Sequence, residues 1–145
     1  MIAKVMFVGK FTAETIGPFQ DWAVISIGEP DMKAPQIKEG WHDVLRIFFH
    51  DVNPDKVVEV TNTYKYVGMS ESQANQIVEF VNRVAPNVDG ILVHCKAGIS
   101  RSAAVAEWIA KRYELPFDYS YPNSNSYVLR LIQESEHRSG HEKND

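Results

Sequence analysis

Residues 94–102 read His-Cys-Lys-Ala-Gly-Ile-Ser-Arg-Ser, bringing a thiol, a guanidinium and two hydroxyls into one short stretch. A strand ending at Cys95 and a helix opening near Arg101 leave a tight loop between them. Its amides, and the first amides of the helix, lack intrahelical partners. Gathered round one point they make an anion site, reinforced by the positive end of the helix dipole. Gly98 admits backbone conformations that a side chain forbids, and Ala97 keeps the bowl narrow. An anion held there sits above the sulfur of Cys95, and the same field favours its thiolate at neutral pH. A thiolate beneath a bound phosphate is placed for in-line attack on phosphorus, giving a phosphocysteine and splitting one hard step into two. Arg101 offers a planar fork that matches two phosphate oxygens, a task lysine performs poorly. Free cysteines are by habit core residues. Here the glycine, arginine and serine spaced around the chain's one cysteine point instead to chemistry.

His94, Cys95, five intervening residues, Arg101 and Ser102 resemble the Cys-x5-Arg-Ser/Thr signature of the cysteine-dependent protein phosphatases, closest to the dual-specificity branch. The wider pattern, "GWHDVLRIFFHDV" followed by "ILVHCKAGISRSAAVAEWIA", is similar to short bacterial and phage members of that branch, over roughly residues 22–115. The resemblance implies a protein-tyrosine-phosphatase-like fold and hydrolysis of phosphotyrosine, with phosphoserine and phosphothreonine as further substrates. It makes Cys95 the nucleophile and Arg101 the phosphate ligand. The amides of Lys96, Ala97, Gly98, Ile99, Ser100 and Arg101 become the cradle, and Ser102 donates to the sulfur and eases its departure. His94 braces the loop by hydrogen bonding and is not a base. Neither metal nor cofactor is called for, and the partner is a phosphorylated protein or peptide.

An ester oxygen leaving phosphorus needs a proton. Members of the family supply an aspartate from the loop after the preceding strand, and two stand there. Asp51 follows the strand directly, in "FFHDV", whereas Asp55 in "NPD" echoes the Pro-Asp pair of the classical tyrosine phosphatases. Asp51 is favoured, with Asp55 as the alternative. The gap between this loop and the next helix is longer than in most members of the branch.

The elements that must position these residues are legible as patterns. "KVMFVG" (4–9), "WAVISIG" (22–28), "VLRIFF" (44–49) and "GILVHC" (90–95) are continuous apolar runs, which suit strands covered on both faces. Residues 70–85 predict a helix opened by a Ser70–Gln73 capping box, with Ala74, Ile77, Val78, Val81 and Val84 at helical spacing, ended by Pro86. Helices are also predicted over 102–115, stopped by Pro116, and over 124–137. This alternation predicts a three-layer α/β fold: a mainly parallel sheet of four to five strands between helices, with function at the carboxyl ends of the strands. Residues 52–69 fit either a small hairpin or a long irregular loop.

At 145 residues with a net charge of −4, the chain reads as one domain over 1–145, its polar tail expected to fray from about residue 138. Basic residues are scattered, so no nucleic-acid footprint is visible. No apolar run approaches membrane-spanning length, the start lacks a signal-peptide pattern, and a lone cysteine suits a reducing compartment, so a cytoplasmic location is expected. His42, His50, His137 and His141 invite a metal reading, but His137 and His141, four apart, stand in a polar tail with no paired carboxylate or second cysteine, and solvated surface is the reading preferred. Lys65 and Lys96 are placed to favour acidic substrates, and Trp41, Tyr64 and Tyr66 to line a pocket rim or simply to pack. Competing readings use the same loop: a phosphoinositide or RNA 5′-phosphatase, against which the bulky Ile99 argues, and a phosphate-binding module without turnover. A thiol-relay reductase would need a second cysteine.

Overall fold

The computed structural model describes residues 1–54 and 66–143. Four strands, β1 (Lys4–Gly9), β2 (Trp22–Gly28), β3 (Asp43–Phe48) and β4 (Gly90–Cys95), form one sheet in the order β1-β4-β2-β3. Every pairing is parallel. The last strand is thus inserted at the centre, buried along its whole length, and its carboxyl end emerges between those of β1 and β2. That is where an open parallel sheet places a ligand site.

Side-chain alternation along β2 and β4 assigns two faces. Ala23, Ile25, Ile91, Val93 and Cys95 look into the main core, while Val24 and Leu92 look the other way. The main core is closed by α2 (Glu71–Val84), α3 (Arg101–Tyr113) and α4 (Ser126–Lys143). All residues of α3 from Arg101 to Ala110 are buried, which explains its alanine-rich sequence. The opposite face carries the short α1 (Lys10–Thr15), Ile16 and Phe19 of the connection that follows it, and the irregular β2–β3 connection, whose Ile37 and Trp41 pack with Val24 and Leu92.

The four strands and three long helices fall close to where the sequence places them. The predicted capping box is present: the Gln73 amide donates to Ser70 Oγ (3.1 Å) and the Ser70 amide to Gln73 Oε1 (3.0 Å). Helix α1 has no counterpart in the sequence reading, and α4 runs on to Lys143, past His137 where the periodicity ends. The question of a hairpin within 52–69 falls mostly outside the described residues. The segment does return beside the site, the His50 amide donating to the Val67 carbonyl (2.6 Å). Among the described residues no helix is long and apolar enough to cross a membrane.

Candidate active site

The loop between β4 and α3 folds back on the end of β1. Gly98 has φ +73°, and a Cβ there would press on the Gly9 nitrogen and lie 2.5 Å from the Val8 carbonyl carbon. Only glycine satisfies both the left-handed backbone and this close approach. The Lys10 amide donating to the Lys96 carbonyl (3.1 Å) completes the attachment. The tight curvature brings the Gly98 amide within 3.3 Å of Cys95 Sγ, as a donor to it. Ser102, fully buried on the first turn of α3, sets Oγ 3.1 Å from the same sulfur. A backbone amide and a serine hydroxyl therefore converge on the sulfur of Cys95, a residue only 2% exposed that lines a cleft of about 560 Å³.

Arg101 is held by the ends of two strands. Its Nη1 donates to the Phe49 carbonyl (2.7 Å) and its Nη2 to Glu29 Oε1 (2.6 Å), at the ends of β3 and β2 respectively. Its Nε–H is buried and has no partner among the described residues. An unpaired buried donor is costly, of order 1–3 kcal/mol, and this one lies in a residue that lines the cleft beside Cys95. The chemistry it is suited to meet is that of an anion. Glu29 in turn neighbours His50, whose Nδ1 accepts from the Val67 amide (2.8 Å), so its proton resides on Nε2 and is donated to Asp31 (3.0 Å). That bond is the foremost reason the Asp31 carboxyl lies below its ordinary range. Glu29, Asp31 and His50 lie close enough to hold a cation between them. In this arrangement Glu29 is committed to Arg101 and Asp31 to His50.

Asp51 stands on the rim of the same cleft. Its Oδ1 accepts from Ser100 Oγ (2.9 Å) and from Asn125 Nδ2 (2.8 Å). The favoured aspartate is therefore tied directly to the anion loop, while Asp55 lies outside the described residues, as do Tyr64 and Lys65. Lys96, Ala97, Ile99 and Ser100 line the cleft, with Val52 and Tyr66 opposite. Trp41 is elsewhere: it is buried on the far face of the sheet against Phe19. His94 also faces away from the cleft. It is fully buried, and Ser26, its register partner on β2, meets Nε2 at 2.6 Å. The bond at Nδ1, to the Cys95 carbonyl (3.4 Å), requires the proton there, so Nε2 accepts from the Ser26 hydroxyl. Burial pushes the His94 pKa below its ordinary value, so the ring is neutral at neutral pH. It ties β4 to β2 immediately before the sulfur.

The sequence reading missed Glu29, Asn125 and the Phe49 carbonyl. Glu29 and Phe49 follow apolar runs ending at the same edge of a parallel sheet, a position that could have nominated them. Asn125 carries the signature of a helix N-cap, and it caps α4 through Oδ1, which accepts from the Tyr127 (3.0 Å) and Val128 (3.1 Å) amides.

No family model matches the chain, and no curated protein does. Among solved structures it is similar to a human tyrosine phosphatase-like serine/threonine/tyrosine-interacting protein, with a TM-score of 0.51 and 20% sequence identity over 83% of this chain and 79% of that one. The likeness is one of fold, an α/β architecture of the tyrosine-phosphatase-like kind.

Proposed function

We propose that the chain is a cysteine-dependent phosphomonoesterase that hydrolyses phosphotyrosine in proteins or peptides through a phosphocysteine. The observation that carries the reading is the convergence of the Gly98 amide and the Ser102 hydroxyl on Cys95 Sγ, in a cleft also lined by Arg101, whose buried Nε–H is unpaired among the described residues. In the first step Sγ attacks phosphorus, the ester P–O bond breaks, and Asp51 delivers its proton to the departing oxygen. In the second, Asp51 takes a proton from water as its oxygen attacks phosphorus. The P–S bond breaks, inorganic phosphate forms, and the thiolate returns to the hydrogen bond of Ser102. Arg101 and the loop amides hold the phosphoryl oxygens through both steps.

The lining supports phosphotyrosine over phosphoserine and phosphothreonine, because apolar side chains around the cleft favour a phenyl ring over a methylene. Val52, Tyr66 and Ile99 give that ring an apolar rim. A phosphoinositide headgroup calls for several cations, and among the described lining residues only Lys96 and Arg101 are basic.

The test is hydrolysis of para-nitrophenyl phosphate. Vanadate-sensitive turnover is expected, with complete loss in Cys95→Ser. Absence of turnover by the wild type across a broad pH range, with phosphotyrosine-peptide binding intact, would instead favour a binding module. The structural neighbour is named as an interacting protein, which makes that the second reading to hold beside the first.

A further inference from the structure

We infer that Asn125 is a positioning residue for proton transfer, fixing which oxygen of Asp51 carries the proton by holding the other oxygen at the anion loop. This rests on the reading of Asp51 as the acid. Asn125 is 6% exposed and every polar group of it is used. Its Nδ2 donates to Asp51 Oδ1 (2.8 Å) and to the Val52 carbonyl (3.1 Å), and its main-chain amide donates to the Ser100 carbonyl (3.1 Å). Its Oδ1 caps α4 and its carbonyl accepts from the Leu129 amide (3.1 Å). One residue therefore binds the acid-bearing segment and the start of α4 through its side chain and the anion loop through its main-chain amide.

The geometry has a chemical consequence. Both donors to the Asp51 carboxyl, from Asn125 and from Ser100, end on Oδ1. An oxygen that already accepts two hydrogen bonds is the worse place for the acid proton, so the proton is carried by Oδ2. Oδ2 is then the atom that gives the proton to the departing ester oxygen and takes one from water in the second step. A neighbouring contact holds the same segment, Asn53 Nδ2 donating to Ser126 Oγ (2.8 Å). That contact joins the same segment to α4, and Asn125 bonds both the carboxyl and the loop.

The experiment separates capping from proton positioning. Asn125→Ser keeps a helix cap but is too short to donate to Asp51. With phenyl phosphate, whose leaving group needs a proton, kcat/KM, which reports the first step alone, should fall about 10- to 100-fold, part of the factor of about 10²–10⁴ that general acid catalysis supplies. With 2,4-dinitrophenyl phosphate, whose leaving group needs none, kcat/KM should change less than about 3-fold. In an Asp51→Ala background the second substitution should add nothing on either ester. Asn125→Asp, isosteric and also a good cap, should show the same ester dependence and carries the test if the serine variant does not fold. Equal slowing of both esters by the Asn125 variants, or losses that add to those of Asp51→Ala, would overturn the inference while leaving the acid assignment intact. Equal slowing of both esters by Asp51→Ala itself would overturn that assignment, and the inference with it.

Discussion

Arg101 shows how much of a reactive side chain's behaviour is decided by residues far from it in sequence. Its ion pair with Glu29 is almost fully sheltered, the two side chains being 5% and 15% exposed. A guanidinium with that little water depends on the carboxylate for its charge compensation, and breaking a buried pair on one side is costly because the other charge is stranded. Glu29→Ala should therefore lower unfolding free energy by roughly 3 kcal/mol, and Glu29→Gln by less, since the amide oxygen still accepts. Urea denaturation of the three proteins measures this, and a loss under about 1 kcal/mol in the alanine variant would mean that the pair is solvated and weak. Cys95 and Arg101 could be singled out in the sequence because their spacing is local. Glu29 and Asn125 were not, because the bonds that give them meaning span 72 and 74 positions. Nothing near a glutamate in "SIGEP" says that an arginine will arrive beside it.

Among the elements, α2 was the easiest to read and also reaches toward the site. Its capping box satisfies two otherwise orphaned amides, and Gln73 then uses its Nε2 to donate to the Phe48 carbonyl (2.8 Å), at the end of the strand that leads into Asp51. Ser70→Ala should cost about 1 kcal/mol and Ser70→Gly only a few tenths, because glycine is itself tolerated at this position. Equal denaturation midpoints for wild type and Ser70→Ala would show that the cap contributes nothing here. Helix α1 escaped the same kind of reading for a physical reason. Gly9 precedes it without a side-chain cap, and Ala13 is the only buried residue along it, so it writes neither a start signal nor a periodic apolar stripe. The extension of α4 past Ser139 and Gly140 was equally hidden, since residues that usually mark a turn there continue the helix.

At the scale of the whole molecule, the alternation of apolar runs with helical segments was enough for a parallel α/β sheet, but the order β1-β4-β2-β3 was not in the pattern. Order comes from contacts between distant segments, and the one that joins the two central strands beside the site is polar: Ser26 to His94, at 2.6 Å inside the sheet. Because His94 is fully buried, its pKa is set chiefly by lost solvation, which lowers it. The Cys95 carbonyl and Glu14 oppose that shift, and Arg46 and Lys10 add to it. The folded pKa thus lies below the unfolded value of about 6.5, and the unfolded chain binds the proton first as pH falls. The stability tied to a neutral His94 is complete above about 6.5 and is lost as pH falls from there toward the folded pKa. Carboxylates with depressed pKa, Asp31 and Asp43 among them, contribute their own loss only at more acidic pH, near and below the ordinary carboxyl range. Urea midpoints should therefore decline between about pH 7 and pH 5. In His94→Gln, which keeps a polar group for Ser26 but cannot titrate, the same interval should be flatter whatever the variant's absolute stability. Parallel slopes in the two proteins would place the mildly acidic loss on some other group and leave His94 as a hydrogen-bonding strut whose charge state never limits the fold.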